Sequence, residues 1–147
     1  MKIVLGCILL LIILIWLNFW GFNPILKVRD KHLLVSDDTI ERLNDLKSRR
    51  KFVDLPGVGN SDELARLNIA FNGLLEQIIA GIKEHPQKKW VLKQFQPALK
   101  TVQGEDTEAQ EHFGAELKKV MSILGIESSD GLIDYYRYGY ILTYWYK

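Results

Sequence analysis

The sequence predicts an all-α protein, in which an N-terminal transmembrane helix is followed by a compact bundle of four to five helices. Three observations support this fold class. An uncharged, apolar run of about twenty residues occupies positions 3–22. Beyond it, apolar residues recur at three- and four-residue steps, and prolines and glycines separate these stretches. We therefore divide the chain into a transmembrane anchor at 1–22, a juxtamembrane connector at 23–35 and a helical domain with an aromatic C-terminal tail at 36–147.

The N-terminal run is long enough to cross a bilayer. At about 1.5 Å rise per residue, a helix over residues 3–22 is about 30 Å long, which matches the hydrocarbon core. Aromatic residues gather near its end, where their rings favour the headgroup level, and Asn23-Pro24 then ends the helix. A cleaved signal peptide would have a shorter apolar core and a small-residue cleavage site. We therefore expect an uncleaved anchor that contacts the lipid bilayer through residues 3–22.

Charges on the two sides of the span give opposing indications of orientation. Lys2 precedes the span, and such a short basic head is typical of a bacterial signal anchor that exports the rest of the chain. Lys27, Arg29 and Lys31 lie beyond the span, and the positive-inside tendency would place them in the cytoplasm. We expect a single-pass protein of the bacterial inner membrane with its domain on the periplasmic side.

The first helix of the domain is predicted from its start signal. Ser36, Asp37 and Asp38 offer N-cap side chains. Asp38 and Glu41 have the spacing of a capping box. The helix should run from Thr39 to Arg50, where positive charge suits the negative pole of the helix dipole. We interpret the basic run at this end as solvated rather than as an anion site; it comprises Lys47, Arg49, Arg50 and Lys51.

Apolar periodicity predicts three further long helices. The most regular is the second, which must end before His85-Pro86 because proline disfavours helix in the residue before it. The third begins at Pro86 and contains Pro97, where we expect a kink or a break. The fourth ends at Gly125, a C-terminal glycine cap. The predicted core is led by Leu67, Phe71, Leu74, Ile78, Phe95, Leu117, Val120 and Leu124.

The C-terminal region combines a short helix with an aromatic tail. Ser128, Ser129 and Asp130 are predicted to cap a helix over residues 131–138. From residue 140 onward the side chains alternate with period two, which is typical of an extended segment. The aromatic residues have three possible roles: closing the core, resting at the membrane interface, or contacting a partner. The candidate partner-binding residues are Tyr140, Tyr144, Trp145 and Tyr146.

One stretch of the chain resembles a known family. Its most specific part is Leu124-Gly-Ile-Glu-Ser-Ser-Asp-Gly131, preceded by Trp90-Val91-Leu92 and followed by Tyr138-Gly139. Together with Pro56-Gly57-Val58, these residues resemble a family of small bacterial helical proteins known as a domain of unknown function, number 4844. The resemblance covers about residues 52–140. It implies a compact helical bundle, and it implies no activity and no site residues.

Composition and motifs point to no catalytic or cofactor site. Lys plus Arg (19) and Asp plus Glu (18) nearly cancel, so no global field attracts nucleic acid, and we expect no nucleic-acid partner. The single cysteine, Cys7, lies in the apolar run, which leaves the domain without a thiol. Glu108, Glu111 and His112 lack the second histidine of a zinc-binding helix. We therefore predict no metal and no cofactor.

Three carboxylates surround the family-like motif: Glu127, Asp130 and Asp134. Paired carboxylates can perform acid–base chemistry, so a hydrolase that uses residues 127–134 is one hypothesis. The other interpretation is an ordinary helix start, in which a serine caps the helix and the acids face its positive end. That interpretation explains every residue type in the motif, and we prefer it.

These observations favour a membrane-anchored, non-enzymatic module that binds another protein. Its small size, its tether and its lack of a catalytic motif suit an immunity or inhibitor protein that neutralises a toxin at the membrane. A second hypothesis is an accessory structural subunit, whose transmembrane helix packs on a larger membrane complex. The hydrolase is the third.

Overall fold

A computed structural model describes residues 6, 8–12, 24–52 and 61–145, with side chains described as far as residue 139. In this part of the chain the fold is all-α and contains no β-strand, which confirms the predicted helical bundle. A short 3-10 helix spans Pro24–Lys27. The α-helices beyond it are α1 (Asp37–Ser48), α2 (Ser61–Gly81), α3 (Lys88–Val102), α4 (Thr107–Ile123) and α5 (Leu132–Trp145).

The predicted transmembrane anchor lies mostly outside the described residues. Residue 6 and residues 8–12 are helical, and their side chains are exposed. Of the helices that the structure describes, none combines the length and the apolar character needed to cross a bilayer. The anchor, and lipid contact through residues 3–22, stay predictions.

The N-terminus of α1 is closed by a capping box. The Oγ of Ser36 accepts a hydrogen bond from the N–H of Thr39, and the Oγ1 of Thr39 accepts one from the N–H of Ser36, both at 3.2 Å. The predicted pairing of Asp38 with Glu41 is therefore wrong. Because Ser36 is the N-cap, the third helical residue is Thr39, whose short hydroxyl replaces the usual glutamate.

A buried lysine closes the other end of α1. Lys51 is only 5% exposed, and its Nζ donates to the carbonyls of Lys47 at 2.6 Å and Arg49 at 2.7 Å. A longer bond of 3.3 Å reaches the carbonyl of Leu46. The last carbonyls of a helix have no partner within it, so this ammonium group caps the helix. Burial lowers the pKa of Lys51, and the nearby carboxylate of Glu116 partly offsets that effect. The prediction of a solvated basic run is wrong for this residue.

Three phenylalanine rings form the centre of the core. Phe71 of α2 and Phe113 of α4 meet edge to face, with ring centroids 5.7 Å apart. Phe52, just after α1, stacks on Phe113 at 6.1 Å and meets Phe71 edge-on at 6.2 Å. These rings tie α2, α4 and the segment after α1 together. All of the predicted core residues are buried around them: Leu67, Phe71, Leu74, Ile78, Phe95, Leu117, Val120 and Leu124.

The segment predicted as a connector packs on the bundle. Its buried side chains are those of Ile25, Val28 and Leu33, which belong to the same core. The N–H of Leu33 donates to the carbonyl of Pro86 at 2.7 Å, and the N–H of Lys88 donates to the carbonyl of Lys31 at 2.8 Å. Two backbone hydrogen bonds therefore fix this segment to the start of α3.

Helix α3 starts later than predicted and has no break at its internal proline. It begins at Lys88 rather than at Pro86, with Gln87 as N-cap, and it continues through Pro97 without a break. A proline inside a helix removes one backbone hydrogen bond. Tertiary packing compensates for that lost hydrogen bond. Phe95, which precedes Pro97, is fully buried, and Ala98 and Leu99, which follow it, are almost fully buried.

The C-terminal glycines confirm one prediction and overturn another. Gly125 ends α4 with φ of +66°, and the N–H of Ile126 donates back to the carbonyl of Met121 at 2.8 Å, as predicted for a glycine cap. Gly139, with φ of 75° and ψ of 173°, interrupts α5, and helical backbone resumes to Trp145. The predicted extended tail is therefore wrong for residues 140–145. Over so few residues, alternating aromatic and aliphatic side chains do not distinguish a strand from a buried helical turn.

Two glycines of α2 give opposite expectations for substitution by alanine. A Cβ on Gly81 would lie 2.6 Å from Cζ2 of Trp90, whose ring is also stacked on His85 at 5.3 Å. Gly81→Ala should therefore lower the free energy of unfolding by about 1–3 kcal/mol. A Cβ on Gly73 meets nothing within 4 Å, so Gly73→Ala should raise it by about 0.5–1 kcal/mol through helix propensity alone.

Denaturant titration of the full chain in detergent micelles, followed by circular dichroism, measures both glycine variants. Equal shifts of the two variants in the same direction would contradict the close packing of α2 against Trp90.

Candidate functional site

Asp130 joins three parts of the chain that are far apart in sequence. Its Oδ2 accepts a hydrogen bond from the backbone N–H of Arg29 at 2.8 Å and one from the Nζ of Lys88 at 2.7 Å. Its own N–H donates to the Oγ of Ser128 at 3.0 Å. The residue has a positive φ of 51°, which aspartate adopts more readily than most residues do. The connector, the start of α3 and the loop before α5 thus meet at one carboxylate.

The surroundings of Asp130 favour its charged form. Burial alone would raise the pKa of this carboxyl. The hydrogen bonds from Lys88 and from the N–H of Arg29, and the positive charge of Lys88, outweigh burial and hold the pKa of Asp130 below 3.8. A general acid needs a raised pKa at neutral pH. This arrangement therefore suits a structural ion pair rather than acid–base catalysis.

The two other carboxylates of the predicted group lie at the surface. Glu127 has a side chain that is 91% exposed and forms a loose ion pair with Lys31 at 3.9 Å. Asp134 is exposed on the first turn of α5. The helix start itself uses Ser129, whose Oγ lies 3.5 Å from the N–H of Ile133. The residue directly before the helix is Gly131, whose carbonyl accepts from the N–H of Tyr135 at 2.9 Å, so the serine contact is a long bond beside the helix start rather than the predicted N-cap. Asp130 also has a different role from the one that its position suggests.

The polar face of α4 is used in a helix–helix contact. Glu111 forms an ion pair with Arg137 of α5. The Cζ of Arg137 also lies 4.5 Å from the ring centroid of Tyr138, so this guanidinium group is held between a carboxylate and an aromatic ring. In the residues that the structure describes, no three His, Cys, Asp or Glu side chains are grouped to hold a metal ion.

Salt bridges also tie the turn between α3 and α4 to α2. Arg66 binds the carboxylate of Glu105 through Nε at 2.7 Å and Nη2 at 2.9 Å. The pKa of Glu63 is raised by burial and by the nearby carboxylates of Asp106 and Glu105. Asp106 is itself the N-cap of α4, accepting from the N–H of Ala109 at 2.7 Å. Glu105 and Asp106 thus each have a structural partner.

The candidate partner-binding residues lie at the C-terminal end of the part of the chain that the structure describes. Tyr140, Tyr144 and Trp145 have helical backbone, and their side chains lie outside the described residues, as does all of Tyr146. Their proposed role therefore stays a prediction.

The tyrosines that precede these candidates change from half-buried to exposed along α5. Tyr136 packs against the core and meets the ring of Tyr135 edge to face at 5.4 Å. Burial raises the pKa of Tyr136. Tyr138 is 45% exposed, so the exposed part of the aromatic region begins there.

Two open clefts were not predicted from the sequence. One lies between the connector and α3, has a volume of about 500 Å³, and is lined by Ile25, Asp30, Gln87, Lys89, Trp90, Lys93 and Gln96. The other lies between α1 and α4, has a volume of about 250 Å³, and is lined by Arg42, Asp45, Leu46, Arg49, Lys119, Ser122 and Ile123. Periodicity locates helices but not the gaps between them, so the sequence pattern did not indicate either cleft.

Similarity to known proteins extends over most of the helical domain. The chain matches the family described as Domain of unknown function (DUF4844) over residues 34–141. The chain belongs to this family. The predicted resemblance is confirmed, and the DUF4844 match begins closer to the N-terminus than residue 52. No curated protein and no solved structure matches the chain.

The DUF4844 match divides the candidate residues. Asp130, Lys88 and Tyr140 lie within it, whereas the apolar run precedes it and the last aromatic residues come after it. The ion pair at Asp130 is therefore part of the DUF4844 domain, and the connector residue that binds it, Arg29, lies just before that domain.

Asp130→Asn tests the ion pair. The pKa of Asp130 is lowered in the folded state, so its charge stabilises the fold above pH 3.8, and that stability is lost as the pH falls through and below this value. The variant should lose about 1–3 kcal/mol of unfolding free energy at neutral pH, the usual cost of removing a hydrogen-bonded charge. As the pH falls below 3.8, the difference between wild type and variant should shrink.

The matched control for this experiment is Asp134→Asn, at an exposed carboxylate on the same helix start. Thermal melts across this pH range measure both variants. A constant difference between wild type and Asp130→Asn at every pH would show that the charge of Asp130 contributes nothing.

Proposed function

We propose that the protein is a membrane-anchored, non-enzymatic module that binds another protein through its C-terminal aromatic surface. We use that name for Tyr138, Tyr140, Tyr144, Trp145 and Tyr146. The anchor is the apolar run at 3–22, and the proposed location is the bacterial inner membrane with the domain on the periplasmic side.

The exposed ring of Tyr138 is the observation that supports this proposal. It is 45% exposed, and the guanidinium group of Arg137 lies over its ring. Tyrosine and arginine are enriched at binding hot spots, because they combine large rigid surfaces with hydrogen-bonding ends. Beyond the interruption at Gly139, the aromatic residues Tyr140, Tyr144 and Trp145 lie on helical backbone.

The specific partner that we propose is a toxin that acts at the membrane, with this chain as its immunity or inhibitor protein. Small size and a tether support this version, since such an inhibitor needs only a binding surface close to its target. An accessory subunit of a membrane complex would instead bind mainly through residues 3–22, which gives the two hypotheses different contact regions.

Partner capture tests the aromatic surface. Affinity-tagged full chain is used to capture proteins from detergent-solubilised membranes, and retained proteins are identified by mass spectrometry. Tyr138→Ala should reduce retention of a specific partner by at least about tenfold, because truncating a hot-spot residue costs about 2 kcal/mol or more. Ile69→Ala is the control, since Ile69 is 73% exposed on α2 and lies outside the aromatic surface. Identical retention by wild type and Tyr138→Ala would exclude Tyr138 from the contact.

The anchor is tested separately. Full-length chain should stay in the membrane pellet after an alkaline carbonate wash, because the apolar run has the length of a span. A chain lacking residues 1–22 is the control and should be released. Intact-mass measurement should find the N-terminus retained, and a mature chain that begins near Asn23 would show that the run is a cleaved signal peptide.

A further inference from the structure

The connector is held against the bundle close to the end of the apolar run. Ile25 is buried in the core, and the N–H of Arg29 is bound to Asp130. The Oδ1 of Asp30 accepts from the N–H of Lys31 at 3.0 Å and from the N–H of Lys89 at 2.9 Å. The chain is therefore attached to the bundle from Ile25 onward, and the position of Ile25 determines which face of the bundle lies next to the apolar run.

The cleft between the connector and α3 lies at that face. The apolar run ends at Phe22, and Ile25, which lines the cleft, comes three residues later. Three fully extended residues reach at most about 11 Å. The headgroup layer on each side of a bilayer is about 5–8 Å thick. With residues 3–22 across the bilayer, the edge of the cleft at Ile25 lies within or just outside the headgroups.

The lining of this cleft matches the chemistry of an anionic headgroup. Lys89 and Lys93 contribute ammonium groups that have no ion-pair partner among the described residues. Asp30, the one acid among the described residues that line the cleft, already accepts two backbone hydrogen bonds. The amide of Gln87 adds a neutral donor, and the half-buried Trp90 belongs to the residue type that favours the headgroup level.

We propose that this cleft binds the phosphate groups of anionic lipids in the membrane that anchors the chain, through Lys89 and Lys93. The proposal rests on the proposed anchor. It commits to a lipid phosphate rather than a soluble one, because the short distance from the apolar run keeps the Ile25 edge of the cleft at the headgroup layer. Docking then holds the bundle flat against one membrane surface.

Thiol labelling of the full chain in lipid nanodiscs tests this docking. Gln96→Cys places a thiol in the cleft, and Ser122→Cys places one in the cleft between α1 and α4, each with Cys7→Ser. In discs with phosphatidylglycerol, N-ethylmaleimide should label the first thiol at least about fivefold more slowly than in phosphatidylcholine discs. That factor corresponds to the binding free energy of one lysine at an anionic membrane surface. The second thiol should react equally in both.

Charge variants assign the effect to the lysines. Lys89→Glu with Lys93→Glu should remove the lipid-dependent slowing, and the neutral pair Lys89→Gln with Lys93→Gln should reduce it. The matched control is Arg42→Glu with Arg49→Glu in the other cleft, which makes the same charge change and should leave the slowing intact.

Each other outcome overturns the proposal in a distinguishable way. Equal labelling of the cleft thiol in both kinds of disc contradicts docking and leaves the anchor standing. Equal slowing by inorganic phosphate in phosphatidylcholine discs assigns the cleft to a soluble phosphate ligand. A chain that enters neither kind of disc contradicts the anchor, and docking fails with it.

Discussion

The carboxylate of Asp130 accepts hydrogen bonds from Lys88 and Arg29, and the positions of three segments depend on it. The side chain of Lys88 is only 10% exposed, so its charge would be left nearly buried and unpaired if the carboxylate were removed. An uncompensated buried charge is strongly destabilising, whereas a hydrogen-bonded pair is tolerated. The start of α3, the connector and the loop before α5 therefore hold one another in place.

A second nearly buried lysine, Lys51, organises the end of α1. Lys51 donates to the free carbonyls at the end of α1, and the next residue, Phe52, places its ring against Phe71 and Phe113. One charged residue thus turns the chain at the end of α1, and the following aromatic residue anchors that turn in the core. Lys51 donates to backbone carbonyls at a helix end, and Lys88 donates to a carboxylate. Neither lysine contributes to an exposed basic patch.

The parts of this fold that the sequence predicts are those with local causes. Apolar spacing identified the core of α2 and α4, including Leu67 and Leu117, and the positive φ of Gly125 follows from the requirements of a helix C-cap. The parts that it missed depend on distant partners. Asp130 has the appearance of a cap residue, and only the arrival of Lys88 and Arg29 gives it a different role. Neither open cleft has a signature along the chain, because each is formed between two segments that are separate in sequence.

The connector and the C-terminal helix are neighbours, which links the two proposed surfaces. Helix α5 packs against the 3-10 helix that begins at Pro24. Burial raises the pKa of Tyr136 on α5, and a hydrogen bond from Gln96 of α3 partly offsets that effect. Gln96 also lines the cleft between the connector and α3. With residues 3–22 across a bilayer, α5 lies on the membrane-proximal part of the bundle. Membrane contact and partner contact by the aromatic surface are therefore compatible, and a partner that binds there would approach along the membrane surface.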